Sequence, residues 1–291
     1  MDKNWLAKAN VGIVIPTYQA GAGFKNLLSE LAEQTFRPQY RLVMDSESTD
    51  DTVQFAKQAG WQTHIIAKKE FSHGRTRQKA LTILQEQAAL DFIIYMTQDV
   101  RIPNKDSLEK LLLAFADHEV AGAYGRQLPH KDASIYAAVD REYNYPAVSR
   151  VKSMSDVKNL GIKTAFCSNS FAAYRVMDLV DQGGFSNVDI CEDVDMAGRF
   201  LLQGKKIAYV AEAEVHHSHE PNLTSQWGRY RSIGRFYAEN HWLQENFGGS
   251  TGEGMKLVRY QLQRIGKEKG ILGLGKVLAL DAIKFIAYKT S

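Results

Sequence analysis

Short apolar runs alternate with segments of helical spacing along the first hundred residues. Residues 11–15 form a continuous apolar run that ends at Pro16, and residues 24–34 then place three leucines at helical spacing. A short apolar run closed by a proline is typical of a strand that is buried on both faces. The pattern therefore predicts a strand followed by an amphipathic helix.

The same alternation recurs along the chain. Further strands are predicted at residues 41–44, 63–67 and 91–96, and further helices at residues 52–59, 74–87 and 106–117. Repeated strand–helix units favour an α/β fold with a mostly parallel, doubly wound sheet, in which ligands bind beyond the carboxyl ends of the strands. Asp45 and Asp99 both follow predicted strand ends, so both are candidate site residues.

The periodicity is weaker in the second half of the chain. A strand is predicted at residues 122–125, and residues 128–168 are then predicted to be rich in loops. Further strands are predicted at residues 170–174 and 206–210, with a helix at residues 193–202 between them. We divide the chain into an α/β domain, residues 1–225, and a helical extension, residues 226–291. The domain has a first half at about residues 1–127 and a second half at residues 128–225.

Composition narrows the class of protein. The 291 residues are 44% hydrophobic and 24% charged, as in ordinary globular domains, and the formal net charge is only +3. That charge is too small to suggest nucleic acid as the main partner. The two cysteines show no spacing typical of a disulfide framework or a zinc site, which favours the cytoplasm.

The last part of the chain combines apolar and basic residues. Its apolar stretch is interrupted by Lys276, Asp281 and Lys284, so it does not reach the roughly 20 apolar residues that span a bilayer. Two interpretations remain open for this segment. It forms either a helix that packs on the main domain or an interfacial helix that contacts a membrane surface.

Two aspartates follow strands of the first half. Asp99, in the segment MTQD, is placed to hold a divalent cation that bridges a diphosphate, although it could also cap the turn before Pro103. Asp45 could accept hydrogen bonds from a base or a ribose hydroxyl. The neighbouring Asp50 could instead be a simple helix cap.

A basic helix start follows at FSHGRTRQKA, with His73, Arg75 and Arg77 near its first turn. Backbone N–H groups, the helix dipole and guanidinium groups together favour phosphate, so the segment is a candidate diphosphate site. The alternative is an ordinary solvated helix start.

An acidic segment, CEDVD, precedes another helix. One of its carboxylates could deprotonate an attacking hydroxyl if a neighbouring charge raises its pKa. Glu192 and Asp193 point in different directions at a helix start, so only one of them would reach a substrate. The alternative is that these acids merely favour a helix N-terminus.

Three histidines occur in the segment HHSHEP. In an extended chain the side chains of His217 and His219 face the same way, as a shared metal or diphosphate contact requires. The dinucleotide, P-loop, zinc-protease and serine-hydrolase motifs are absent from the sequence.

The order of these motifs resembles a known family. The segments VGIVIPTYQAG, MDSESTDDT, FSHGRTRQKA, MTQD and CEDVDMAGRF are similar to those of family 2 inverting glycosyltransferases with the GT-A fold. The resemblance is greatest to bacterial rhamnosyltransferases, in which an F-x-H-G-x-T-R segment precedes a T-Q-D segment.

The resemblance implies roles for individual residues. Asp193 would be the general base, and Asp99 would bind Mg²⁺ or Mn²⁺ with His217 and His219. Thr97 stands where many relatives have a second metal-binding acid, so Asp99 would be the single acid of this motif. The residues implied to contact the nucleotide and donor are Pro16, Thr17, Tyr18, Asp45, His73, Arg77 and Gln98.

The resemblance also implies a reaction. L-rhamnose would move with inversion from dTDP-β-L-rhamnose to a hydroxyl of a lipid-linked saccharide, at the cytoplasmic face of the membrane, during synthesis of O-antigen, capsule or cell-wall polysaccharide. One alternative keeps the fold but uses a UDP-hexose or UDP-N-acetylhexosamine donor. Another alternative, of a different class, is a non-catalytic subunit that binds a nucleotide sugar.

Overall fold

The computed structural model describes residues 4–249 and 251–291, within which eight strands form one sheet. The strand order across the sheet is β3-β2-β1-β4-β7-β5-β8-β6. The strands are β1 (Val11–Thr17), β2 (Tyr40–Asp45), β3 (Gln62–Ile65), β4 (Phe92–Met96), β5 (Val120–Leu128), β6 (Arg150–Lys152), β7 (Phe171–Arg175) and β8 (Lys206–His216).

The sheet is mostly parallel, as predicted. β1 pairs in parallel with β2 and β4, β2 with β3, and β5 with β8, whereas β7 runs antiparallel to both β4 and β5. β6 is antiparallel to β8 at the edge of the sheet. The parallel strands therefore end at one common edge of the sheet, where sites in such folds are built.

Eleven α-helices accompany the sheet in the described residues. The helices are α1 (Gly21–Ala32), α2 (Thr52–Gln58), α3 (His73–Gln85), α4 (Ser107–Leu113), α5 (Ile135–Asn144), α6 (Val157–Leu160), α7 (Val176–Asp181), α8 (Glu192–Leu202), α9 (Leu223–Glu239), α10 (His241–Phe247) and α11 (Thr251–Lys289).

The apolar faces of these helices cover both sides of the sheet. On one side, Ile13 and Ile15 of β1 pack in a cluster with leucines of α1 and α4. On the other side, Val14 packs with α3 and α8. Successive residues of one strand thus enter different cores, which explains why β1 is apolar at nearly every position.

Two parts of the second half differ from the sequence-based expectation. The segment expected to be rich in loops contains α5, β6 and α6. β6 and α6, of three and four residues, are too short to show a period, whereas the ten-residue α5 is amphipathic and was missed. β8 continues to His216, six residues beyond the predicted end, because its pairing with β5 resumes after an irregularity between Gly125 and Arg126.

α9 begins at Leu223, three residues before the predicted boundary at residue 226, and α11 packs against α9 and α5. α11 begins at Thr251, within the glycine-rich segment 247–254, and Ser250 lies outside the described residues. α11 bends at Gly270, whose φ of 61° is not helical, and this divides the helix into two arms. Among the described residues, no helix has the length and apolar character needed to cross a membrane.

Candidate active site

Three strand ends meet where Asp99 lies. The turn after β4 is joined to the end of β8 by two backbone hydrogen bonds between Arg101 and His216, of 3.0 and 2.8 Å. The next residue, His217, donates its backbone N–H to the carbonyl of Leu128 at the end of β5, at 2.8 Å. Asp99 and the histidine segment, distant in sequence, are therefore held together by the sheet.

The carboxylate of Asp99 faces two imidazole rings. Asp99 Oδ2 lies 3.4 Å from His217 Nε2 and 3.3 Å from His219 Nε2. The three potential ligand atoms lie within 4.8 Å of one another. The structure therefore brings together the three residues that the sequence suggested as metal ligands.

The protonation of His217 follows from its other contacts. Gln127 Oε1 lies 2.8 Å from Arg141 Nη1 and 2.8 Å from His217 Nδ1. Because arginine only donates hydrogen bonds, the shared amide atom is an oxygen, and His217 Nδ1 must donate to it. Nε2 of the neutral ring then presents a lone pair to the Asp99 carboxylate.

A cation between these groups would resolve an unfavourable contact. Burial lowers the pKa of His217, which favours the neutral ring. Burial would raise the pKa of Asp99. Only a protonated His217 would donate a hydrogen bond to Asp99, and that bond and its charge would hold the pKa of Asp99 well below its usual value against the effect of burial. A lone pair facing a carboxylate is repulsive unless a positive charge lies between them. Two imidazoles and one carboxylate suit a divalent transition-metal cation.

The ends of β1 and β4 are linked beside this cluster. The backbone N–H of Tyr18 donates to Gln98 Oε1 at 2.7 Å, and Gln98 Nε2 donates to the Tyr18 carbonyl at 3.0 Å. The Tyr18 ring is 40% exposed, and Lys68 Nζ donates to its hydroxyl at 2.6 Å. Tyr18 therefore offers an accessible aromatic surface next to a positive charge, while the amide of Gln98 fixes its backbone.

Asp45 has a different setting from the one that was expected. Its side chain is fully buried, and it accepts hydrogen bonds from Thr17 Oγ1 at 2.7 Å and from Ser48 Oγ at 2.6 Å. Thr17 is itself buried, and Pro16 is half-buried. Asp45 and Thr17 therefore bind each other and fix the loops that follow β1 and β2. Direct contact with a nucleotide would require accessible atoms, which these two buried side chains do not offer.

Arg77 also differs from the sequence-based expectation. Diphosphate binding requires an accessible guanidinium group, but Arg77 is only 2% exposed. Its Nη1 lies 3.0 Å from Glu192 Oε1 and donates to His73 Nδ1 at 3.0 Å. Burial and the charge of Arg77 lower the pKa of His73 to about 4, so that ring is neutral. His73 and Arg77 thus form a buried cluster that ties α3 to α8.

Gly74 allows this approach of α3. A Cβ atom at position 74 would overlap the carbonyl oxygen of Ser186, and the Gly74 N–H donates to the Val188 carbonyl at 3.0 Å. The start of α3 therefore packs directly on the loop that leads into α8. The basic motif at the start of α3 joins two elements in this structure.

Glu192 and Asp193 point in different directions, as expected. Glu192 is 3% exposed and faces Arg77, whereas Asp193 is half-buried. Asp193 Oδ2 accepts the backbone N–H of Asn169 at 2.9 Å, and Oδ1 accepts that of Val194 at 2.9 Å. Each oxygen keeps a second lone pair, so the held carboxylate can still accept a proton.

The pKa values of the two neighbouring acids are shifted apart. Burial and the negative charge of Glu192 raise the pKa of Asp193 to about 7. Burial would likewise raise the pKa of Glu192, but the charge of Arg77 reverses this and lowers it. A carboxylate with a pKa near neutrality is suited to general base catalysis.

One short loop connects Asp193 with the group formed by Asp99, His217 and His219, which we call the Asp99 cluster. Ser168 Oγ accepts a hydrogen bond from Gln127 Nε2 at 2.8 Å, and Gln127 holds His217. The next residue, Asn169, donates its backbone N–H to Asp193 and its side-chain amide to Glu192 at 2.8 Å. A chain of hydrogen bonds through this loop therefore links the Asp99 cluster to Asp193.

Sequence reasoning missed Gln127, Arg141 and Asn169. None of them belongs to a motif, and their roles depend on contacts across the fold. One signal was present for Gln127: it is a polar residue inside a largely apolar strand, and it is 1% exposed. Such a residue needs buried hydrogen-bond partners.

Residues 12–181 match the family described as Glycosyl transferase family 2. This range covers more than half of the 291 residues. The chain belongs to glycosyl transferase family 2. The resemblance found in the sequence is thus confirmed, and so is the expected enzyme class, a glycosyltransferase.

Two curated members of this family are similar over nearly the whole chain. The chain is 41% identical to the O-antigen chain rhamnosyltransferase WbaN of Salmonella anatum, over 95% of this chain and 87% of that protein. It is 38% identical to the O-antigen chain rhamnosyltransferase RfbN of Salmonella typhimurium, over 96% of this chain and 88% of that protein.

Solved structures share the fold at low sequence identity. The mannosyltransferase PcManGT of Pyrobaculum calidifontis, in complex with GDP-Man and Mn²⁺, aligns with a TM-score of 0.65 at 15% identity, over 97% of this chain and 86% of that one. TarS 1-349 of S. aureus, in complex with UDP, aligns with a TM-score of 0.55 at 15% identity, over 97% of this chain and 89% of that one. The predicted GT-A fold is confirmed.

Proposed function

We propose that this glycosyltransferase moves L-rhamnose from dTDP-β-L-rhamnose to a hydroxyl of a saccharide acceptor, with inversion, in O-antigen synthesis. The two curated relatives, both O-antigen chain rhamnosyltransferases, support the sugar and the pathway. The single structural observation that carries the proposal is the shared site, in which one loop connects the Asp99 cluster and Asp193.

Asp193 acts as the general base. Its carboxylate is held by two backbone N–H groups and has a pKa raised to about 7 by burial and by Glu192, so it can take a proton near neutral pH. As the acceptor oxygen attacks the anomeric carbon, Asp193 receives the hydroxyl proton. The bond from that carbon to the diphosphate breaks on the opposite side, which inverts the configuration.

Asp99, His217 and His219 would hold the divalent cation. A bound Mg²⁺ or Mn²⁺ would supply positive charge that stabilises the departing nucleoside diphosphate. Gln127 keeps His217 Nε2 directed at Asp99, because its own oxygen is held in turn by Arg141. Thr97, in place of a second acid, leaves the two imidazoles as the other ligand candidates beside Asp99.

The nucleotide binds at the ends of β1 and β4 in this proposal. The exposed ring of Tyr18 can stack on the base, with Pro16 beside it, while Gln98 keeps the Tyr18 backbone in place. Thr17 and Asp45 support the loop from below. Arg77 and His73 act on the other side of the site, where they hold Glu192 next to Asp193.

A ligand panel followed by a transfer assay tests the proposal. A ligand that binds only the folded state raises its apparent stability. We expect the melting temperature to rise with dTDP-rhamnose and to rise further with Mn²⁺, and we expect a rhamnosylated saccharide by mass spectrometry. A melting-temperature response limited to UDP-glucose or UDP-N-acetylglucosamine would show that the donor is a UDP-sugar and not dTDP-rhamnose. Donor binding without transfer to any O-antigen fragment would favour a non-catalytic subunit.

The acceptor is proposed to be lipid-linked and to be used at the cytoplasmic face of the membrane. The last arm of α11 supports this, because Leu278 and Ile286 are about half exposed beside lysines. Co-sedimentation with anionic vesicles tests it. The complete chain should sediment with the vesicles, and a variant with Leu278→Ser and Ile286→Ser should sediment less.

A further inference from the structure

A cavity of about 400 Å³ lies in the helical extension, apart from the Asp99 cluster. Three helical segments enclose it: α9 and the two arms of α11. Each contributes side chains at helical spacing, such as residues 230, 233 and 237 on α9 and residues 281, 285 and 288 on the last arm. The volume lies within the range of small-molecule pockets, roughly 300–1,000 Å³.

Most of the wall of this cavity is apolar. Ile233, Leu257 and Val258 line it and are half-buried. Met255 and Phe285 also line it, with 66% and 57% of their surface exposed. Side chains that stay in water around an apolar concavity indicate a binding site for an apolar group. A concave wall made by three helices suits a single hydrocarbon chain, whereas a bilayer surface needs a continuous outward face.

The charge of the extension indicates an anionic group on that hydrocarbon chain. Residues 226–291 contain eleven Lys and Arg but only five Asp and Glu, whereas residues 1–225 have an acidic excess. Lys289 lines the cavity and forms no ion pair within residues 4–249 and 251–291. Its ammonium group is therefore available to a phosphate.

One residue of the cavity wall, Tyr237, also interacts with the charge of Asp193. Cys191 is likewise near enough to Tyr237 to interact with it electrostatically. Arg229, exposed two turns earlier on α9, interacts electrostatically with His219 and with Tyr230 of the cavity wall. Arg229 and Tyr237 are about 12 Å apart along the helix axis, from the helical rise of about 1.5 Å per residue.

We propose that this cavity binds the hydrocarbon chain of the acceptor. The anionic link between that chain and the saccharide then lies near Arg229 and Lys289, and the saccharide reaches Asp193. The inference rests on the proposed function only where it identifies the bound molecule as the acceptor. The occupant itself, one hydrocarbon chain with a phosphate group, follows from the shape, the apolar wall and the charge.

Calorimetry with farnesyl diphosphate and inorganic diphosphate tests the proposal on the complete chain. Farnesyl diphosphate should bind at least 10-fold more tightly than inorganic diphosphate, because it alone has a hydrocarbon chain that can enter the cavity. Ala282→Trp places a large ring in the cavity and should weaken binding of farnesyl diphosphate by 10-fold or more. Ala279→Trp is the matched control, because residue 279 is exposed on the same arm and does not line the cavity. It should bind as the unchanged chain does.

Several results would overturn the proposal. They are equal binding of the two ligands, unchanged binding by a folded Ala282→Trp variant, or a dimer of the unchanged chain that Ala282→Trp dissociates, since the cavity would then be filled by a second copy. Thermal shifts with dTDP-rhamnose separate this inference from the proposed function. If the unchanged chain binds the donor and transfers rhamnose but does not bind farnesyl diphosphate, the cavity proposal alone is rejected. Farnesyl diphosphate binding without any rhamnosyl transfer supports the cavity and rejects the proposed reaction.

Discussion

Asp99 and Asp193 are two carboxylates of one site with opposite surroundings. Asp99 faces two imidazoles, whose protonated forms would hold its pKa well below the usual value against the effect of burial. Asp193 has Glu192 beside it, and burial with that negative charge raises its pKa to about 7. The surroundings therefore suit one acid to binding a cation and the other to accepting a proton.

The largest expected effect is that of Asp193→Asn. Asparagine cannot take the acceptor proton, so transfer should fall by about 10²–10⁴-fold while donor binding is kept. The rate is measured by product formation at saturating donor, with the melting temperature as a check on folding. Asp181→Asn, the same change at an exposed position of α7, is the control and should be neutral. Near-normal transfer by Asp193→Asn would show that Asp193 is not the general base.

Asp99→Asn should act through the cation instead. The amide carries no charge, so we expect Mn²⁺ affinity and transfer to fall together, by about 100-fold or more, since even changes in residues behind metal ligands cost roughly 10–100-fold. Mn²⁺ binding is measured by electron paramagnetic resonance. An unchanged Mn²⁺ affinity would show that the Asp99 cluster holds no cation.

Gln127→Leu should have a smaller effect of the same kind. Leucine cannot accept the hydrogen from His217 Nδ1, so the ring is free to change its tautomer and orientation. We expect a loss of about 10–100-fold in Mn²⁺ affinity. Gln127→Glu keeps an accepting oxygen and should retain more affinity than leucine. Equal losses in the two variants would contradict this positioning role.

Arg77→Met should change folding stability rather than donor binding. The substitution leaves the charge of Glu192 buried without its partner, which typically costs about 3–5 kcal/mol of the free energy of unfolding. Urea unfolding measures the loss, and Arg75→Met, at an exposed position of the same helix, should change it little. If Arg77→Met weakened donor binding without changing stability, Arg77 would be a diphosphate-binding residue instead.

Much of the fold could be predicted from the sequence, for a physical reason. β1 and β4 are buried on both faces, so they appear as continuous apolar runs, and the aspartates that follow them stand out. His217 and His219 could be paired because alternate residues of an extended segment share a face. Of the elements between residues 128 and 168, β6 and α6 have only three and four residues, too few to show a period.

The roles of Arg77, Asp45 and Gln127 could not be predicted for another reason. A basic residue at a helix start favours phosphate if it is exposed, but Gly74 lets α3 approach so closely that Arg77 is turned inward to Glu192. Asp45 is likewise covered by Thr17 and Ser48. Gln127 acts through partners on α5 and after β8, and only the folded chain brings these together.

The pH dependence of kcat/KM tests the assignment of the base most directly. Because the base must be ionised, we predict that kcat/KM of the unchanged chain, at saturating Mn²⁺, rises with pH through an apparent pKa near 7. The residual rate of Asp193→Asn should lack this rise, since its side chain does not ionise. A rise near pH 7 that persists in Asp193→Asn would assign the proton transfer to another group and contradict the account.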